Sequence, residues 1–232
     1  MTTSLLLVDD LPVEVIRKRV KHLNLAVLGA DHVRVSAPWR VPDAEIAGFV
    51  GARRDWIERH RDRLRRSAPT PIEEGSTQRV WGRQVPVRLV TGPSRVWLDA
   101  SGTLMVRSPA GADRAERRRM VDRWLRRQVA AALPDLELRW SAALGVTVAT
   151  WTVRRMSSRW GSCNPETGRV TLNLELAAEP PELLEYIVVH EMAHLREPGH
   201  GRRFQRLMDR HLPDWRHLRR RLNRLVAADE AA

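Results

Sequence analysis

The chain has 232 residues, 43% hydrophobic and 29% charged, the composition of a soluble globular protein with material for one large domain or two small ones. Its single cysteine, Cys163, excludes an internal disulfide and a multi-cysteine structural zinc site, and the early apolar run Leu5–Val8 is too short for a signal peptide or membrane span. The formal charge of +12 rests on 40 basic residues, of which only Lys18 and Lys21 are lysine; this skew reads as GC-rich codon usage, and the basic runs 61–66, 114–127 and 216–224 as solvated helix faces. With no targeting signal, the expected location is the cytoplasm.

Residues 1–40 read as extended, with β-rich runs at 13–20, 23–28 and 32–35 and a turn at Gly29-Ala30-Asp31. Pro42-Asp43 then opens an amphipathic helix to about Arg66, with Ile46, Phe49, Val50, Trp56, Ile57, His60 and Leu64 on one stripe and His60 read as a core residue. A linker rich in Pro, Ser, Thr and Gly covers 67–78, so the expected organisation is 1–75 as a β-rich segment with its helix and 79–228 as a second domain.

Three strands are expected after the linker, at 80–90, 95–98 and 103–106. A long helix starts near Asp113 with Met120, Val121, Trp124, Leu125 and Val129 on one face, and Pro134 should interrupt it before 136–144. Strands at 146–154 and 168–173 flank a loop, 156–167. Helices at about 181–195, 201–211 and 213–226 complete an α+β fold, with a frayed tail at 229–232. No internal repeat is visible, and the nine tryptophans read as core fillers except Trp160, which sits in the loop and is placed to line a cleft.

The chemistry concentrates in His190-Glu191-Met192-Ala193-His194, followed by Pro198-Gly199-His200. On a helix, positions i and i+4 return to one face about 6 Å apart along the axis, so His190 and His194 can converge on one metal. Glu191 lies on the neighbouring face, within reach of a water on that metal but not a ligand, as a general base should be. On a continued helix His200 would be carried about 9 Å away. Pro198 ends the helix and Gly199 permits unusual backbone angles, so the chain can turn back. Three histidines leave one position of a tetrahedral zinc open, the mark of a catalytic rather than a structural site. The buried lead-in Leu183, Leu184, Ile187 and Val188, started by Pro180-Pro181, supports the helix.

Just upstream, Arg159-Trp160-Gly161-Ser162-Cys163-Asn164 and the strand ending at Asn173 form a hairpin-like unit. RWGSCN, the strand ending in LN, P-x-x-L-x-x-Y-I-V-V-HEMAHL, GH-x-x-x-F and a late Pro-Asp-Trp together resemble the YgjP-like metallopeptidase domain, over nearly the whole chain. The resemblance implies a gluzincin-like zinc hydrolase related to SprT-like proteases, with His190, His194 and His200 as ligands of Zn2+ and Glu191 as the catalytic residue. One departure is Gly201, where a small polar residue is usual.

Peptide hydrolysis also needs an oxyanion stabiliser. Arg159 is the leading candidate, with Asn164 and Asn173 as alternatives. An edge strand, 170–173 or 148–153, would hold an extended substrate. Cys163 reads as a small buried residue and Tyr186 as core or lining. Glu185, Asp209 and Asp214 are possible acceptors for histidine N–H groups, and His211 and His217 are expected to be solvated. Three functions follow: a monomeric zinc metallopeptidase acting on peptides or proteins, a metal-dependent hydrolase of phosphoanhydrides such as nucleoside triphosphates, and a DNA-associated SprT-like protease. The basic charge suits a nucleotide or nucleic-acid partner; no membrane partner is expected.

Overall fold

In the computed structural model of the chain, which describes residues 2–29, 31–66, 70–156 and 159–228, small sheets and helices follow one another in an α+β arrangement. The chain divides into two compact units, Met1–Ala68 with Leu225–Ala232, and Pro69–Arg224.

The first unit holds a four-stranded sheet of β1 (Thr2–Val8), β2 (Leu11–Arg17), β3 (Asn24–Gly29) and β4 (His32–Ala37), in the order β1-β2-β4-β3. Strands β1 and β2 form a hairpin, β2 runs parallel to β4, and β3 antiparallel to β4. Alternation gives the sheet its inner face: Leu11, Val13 and Val15 of β2 and Val33, Val35 and Ala37 of β4 are buried. Over that face lie Ile46 and Val50 of α1 (Asp43–Gly51) and Ile57 of α2 (Arg54–Arg66).

The single helix expected to Arg66 is therefore two. Gly48 and Gly51 weaken its middle, and the Arg53 N–H bonds to the Val50 carbonyl three residues back, tightening the last turn before the break. Phe49 is partly buried and Trp56 is 37% exposed. The side chains of His60 and Leu64, part of the linker (67–69) and the tail 229–232 lie outside the described residues.

The second unit opens with β5 (Thr77–Val80), β6 (Arg83–Thr91), β7 (Arg95–Leu98) and β8 (Leu104–Ser108), in the order β5-β6-β8-β7. The strand expected at 80–90 is instead a hairpin folded at Trp81-Gly82, where φ values of 49° and 79° make the left-handed two-residue turn that suits twisted strands. This sheet repeats the first one's plan: an antiparallel hairpin, a central parallel pair, an antiparallel last strand, then helix. The duplication is one of topology; alternating apolar positions reproduce it with different residues, which hides it in the sequence.

Helix α3 (Arg114–Leu144) starts where the Asp113 carboxylate accepts the Glu116 N–H, and Met120, Val121, Trp124, Leu125 and Val129 are buried as expected. Pro134 does not interrupt it. The ring faces solvent while Leu133, Trp140 and Leu144 are buried around it, and that packing outweighs the missing hydrogen bond. Then come β9 (Thr150–Arg154), β10 (Gly161–Asn164) and β11 (Arg169–Asn173), in the order β10-β11-β9, and a 3-10 turn, Leu174–Ala178.

Helices α4 (Pro181–Ala193) and α5 (Arg202–His211) follow, then α6 (Trp215–Ala228), which belongs to this unit as far as Arg224. Nearly every side of α4 is buried, so it is a central, constrained helix. Trp124, Trp140 and Trp215 are core residues, but Trp39, 50% exposed, and Trp56 are not. Among the described residues no helix is long and apolar enough to cross a membrane.

Candidate metal centre

The HExxH residues occupy the end of α4: His190 and Glu191 lie in its last turn and His194 is its C-terminal cap, still in helical conformation. The rings of His190 and His194 come within 4.9 Å of each other, centroid to centroid. The chain then closes a tight turn, with the Arg196 and Glu197 N–H groups both donating to the Ala193 carbonyl. Arg196 also donates to the Leu144 carbonyl at 2.9 Å, tying this turn to the end of α3. His200 is thereby swung back, its Nε2 3.1 Å from His190 Nε2. Gly199 does not use a positive φ, and a Cβ there would meet nothing within 4 Å, so the reversal comes from Pro198 and the turn's hydrogen bonds.

One ligand atom from each of His190, His194 and His200 lies within 4.8 Å of the others. A tetrahedral zinc with bonds of 2.0–2.1 Å sets its donors about 3.3 Å apart, so the set fits such an ion. The His194 Nδ1–H donates to the Glu197 carbonyl at 3.1 Å, which leaves Nε2 with its lone pair free. Two imidazole nitrogens facing each other at 3.1 Å form a donor set that a shared cation would complete.

Electrostatics favour the same protonation states. Burial, reinforced by His194 and His200, pushes the His190 imidazole down to about 3, and burial also lowers His194; both are held neutral, as ligands must be. Glu191 is 5% exposed, and burial pushes its carboxyl up to about 7 against the opposing pull of Arg159. Beneath the imidazoles lies Phe204 of α5, 1% exposed, with its ring centroid 5.0, 4.7 and 4.9 Å from those of His190, His194 and His200.

The remaining candidates separate cleanly. Asn164 accepts the Glu166 and Thr167 N–H groups and so staples its turn. Asn173 accepts from the Met156 and Glu175 N–H groups and donates to the Met156 and Arg159 carbonyls. Both asparagines are occupied structurally, whereas the exposed Arg159 acts electrostatically on Glu191. Glu185 is engaged by Arg139 and the Trp140 indole, and Asp209 by Trp215 and Arg216, so neither serves a histidine. Cys163 is half-buried, and burial raises its thiol to about 11. Tyr186, 3% exposed, meets His190 edge-on at 5.8 Å. His211, His217 and Asp214 stay outside the cluster.

The sheet beside the site revises the expected substrate edge. Strand β11 is central, paired on both sides, so 170–173 is not an edge. β9 is an outer strand, with its Val153 carbonyl accepting from Arg126 Nε at 2.9 Å. The other outer strand, β10, runs next to Glu191. Two site residues carried no recognised role in the sequence: Phe204, visible only as the last letter of GH-x-x-x-F, and Gly161, whose missing side chain makes room for Glu191.

The model of the YgjP-like metallopeptidase domain matches residues 21–225 of this chain. The chain belongs to the YgjP-like family. Among solved structures, the metallopeptidase zymogen jannalysin of Methanocaldococcus jannaschii is similar at 18% identity and a TM-score of 0.36, over 40% of this chain and 95% of its own. No curated protein matches. Membership makes this YgjP-like chain a metallopeptidase by family and implies a metal ion and a peptide or protein substrate.

Proposed function

We propose that this chain is a zinc metallopeptidase in which His190, His194 and His200 hold the ion, Glu191 is the general base and Arg159 stabilises the oxyanion. The observation that carries this reading is the convergence of three imidazoles beside a carboxylate that burial pushes up to about 7. Bound zinc supplies Lewis acidity, polarising the scissile carbonyl and acidifying a water. The protein does the rest. Neutral imidazoles present lone pairs, and Glu197 fixes the His194 tautomer. A Glu191 carboxylate oxygen takes the proton from the attacking water and returns it to the leaving amine, a role suited to a group that titrates near neutrality. Arg159 offers N–H donors to the charge that builds on the carbonyl oxygen.

The outer edge of β10 suits an extended peptide, which would add as a further strand through its backbone. Catalysis is assigned to residues 79–228, preceded by the β-rich N-terminal segment and its helix at 1–75. Glu191→Gln should keep its metal and lose cleavage of an unfolded protein such as casein by about 10²–10⁴-fold. Arg159→Ala should lower kcat by about 10²-fold, with a smaller change in KM. Wild-type cleavage by Glu191→Gln would defeat the proposal.

A further inference from the structure

The glycine of Arg159-Trp160-Gly161-Ser162-Cys163 has no conformational reason to be glycine. Gly161 does not adopt a positive φ; it lies in β10, paired in register with Leu172. What it lacks is room. A Cβ at this position would stand 2.6 Å from Glu191 Oε1, 2.8 Å from its Cγ and 2.9 Å from its Cδ, all shorter than real Cβ contacts. The space that a Cβ would need is taken by the Glu191 side chain, so the bare backbone of β10 is what leaves room for the buried carboxylate.

Neither flank can easily give way. Trp160, just before Gly161, accepts the Asn173 N–H at 2.8 Å, and the Asn173 side chain holds the Arg159 carbonyl, so β10 is fastened at this end. On the other side Glu191 projects from α4, whose Val188, Val189, Met192 and Ala193 are fully buried. The soft part is the Glu191 side chain itself. An added methyl would leave the fold standing and turn the carboxylate aside. We propose that Gly161 is a positioning residue that seats the Glu191 carboxylate for proton transfer. This rests on the reading of Glu191 as general base for its kinetic consequence, but not for its steric one.

The test combines kinetics with a thermal double-mutant cycle on the zinc-loaded protein, using Gly161→Ala, Glu191→Ala and the pair. Gly161→Ala should lower kcat on casein by about 10²-fold, as expected for a carboxylate misplaced by about 1 Å, with KM and zinc affinity within about threefold of wild type. It should lower Tm in the wild-type background and leave Tm unchanged once Glu191→Ala has emptied the space. Wild-type kcat in Gly161→Ala, or an equal Tm loss in both backgrounds, overturns the seat. If Gly161→Ala fails to fold but the double variant folds, the seat is supported; if both fail, it is overturned. Should Glu191→Ala itself keep cleaving, the general-base reading falls, and the thermal cycle still judges the contact.

Discussion

Glu191 combines a buried position with a carboxyl pushed up to about 7, mainly by desolvation. A carboxyl whose folded pKa exceeds its unfolded value of about 4.3 holds its proton more tightly in the native state, so the stability that Glu191 contributes is full below pH 4 and lost as pH rises through 7. In metal-free protein, Glu191→Gln should therefore melt several degrees above wild type at pH 8, and the two should converge near pH 4. The depressed His190 and His194 are common to both proteins and cancel in the comparison. Equal melting across the range would show that Glu191 is not desolvated. Cys163, raised to about 11 by burial and the nearby Glu191, should react with iodoacetamide at pH 8 at least about tenfold more slowly than a free cysteine and speed up between pH 9 and 11. Rapid alkylation at pH 8 would contradict that environment.

At the scale of elements, the helix bearing the site was legible because its signals agree: a proline start, a buried apolar lead-in and a proline stop. The departures have local causes. Trp81 adopts a left-handed φ that no propensity for tryptophan suggests, so a hairpin reads as one strand. Pro134 reads as a breaker, yet α3 passes through it because both neighbouring turns are buried. Its ring faces solvent, so Pro134→Ala should raise stability by up to about 3 kcal/mol in chemical denaturation, and a loss would mean that the proline is needed for shape. Gly201 caps α5 with no side-chain hydrogen bond, and Gly201→Asn should add a few tenths of a kcal/mol by supplying an acceptor. The roles of Phe204 and Gly161 could not be read from the sequence, since a ring beneath three imidazoles and a space beside a carboxylate exist only once α5 and β10 meet α4.

The whole molecule carries +12, but many of its arginines are paired: Arg17 with Asp43, Arg34 with Glu14, Arg54 with Asp10, and both Arg118 and Arg155 with Asp122. That pattern suits solvated, ion-paired faces more than a phosphate track, and duplex DNA should bind no tighter than micromolar at physiological salt. Nanomolar binding with a steep salt dependence would return a nucleic-acid role to the chain. The topological duplication of the first sheet in the second shows that an α+β fold can reuse one plan while only one copy leads into the helix of the metal centre.

The most direct test of the central claim is zinc stoichiometry by elemental analysis, with affinity by chelator competition, on wild type and on His190→Ala, His194→Ala and His200→Ala. One zinc per chain in wild type, and affinity reduced at least about 10²-fold in each variant, is the expected result. Wild-type protein purified without stoichiometric metal, or variants that hold zinc as tightly as wild type, would contradict a three-histidine metal centre.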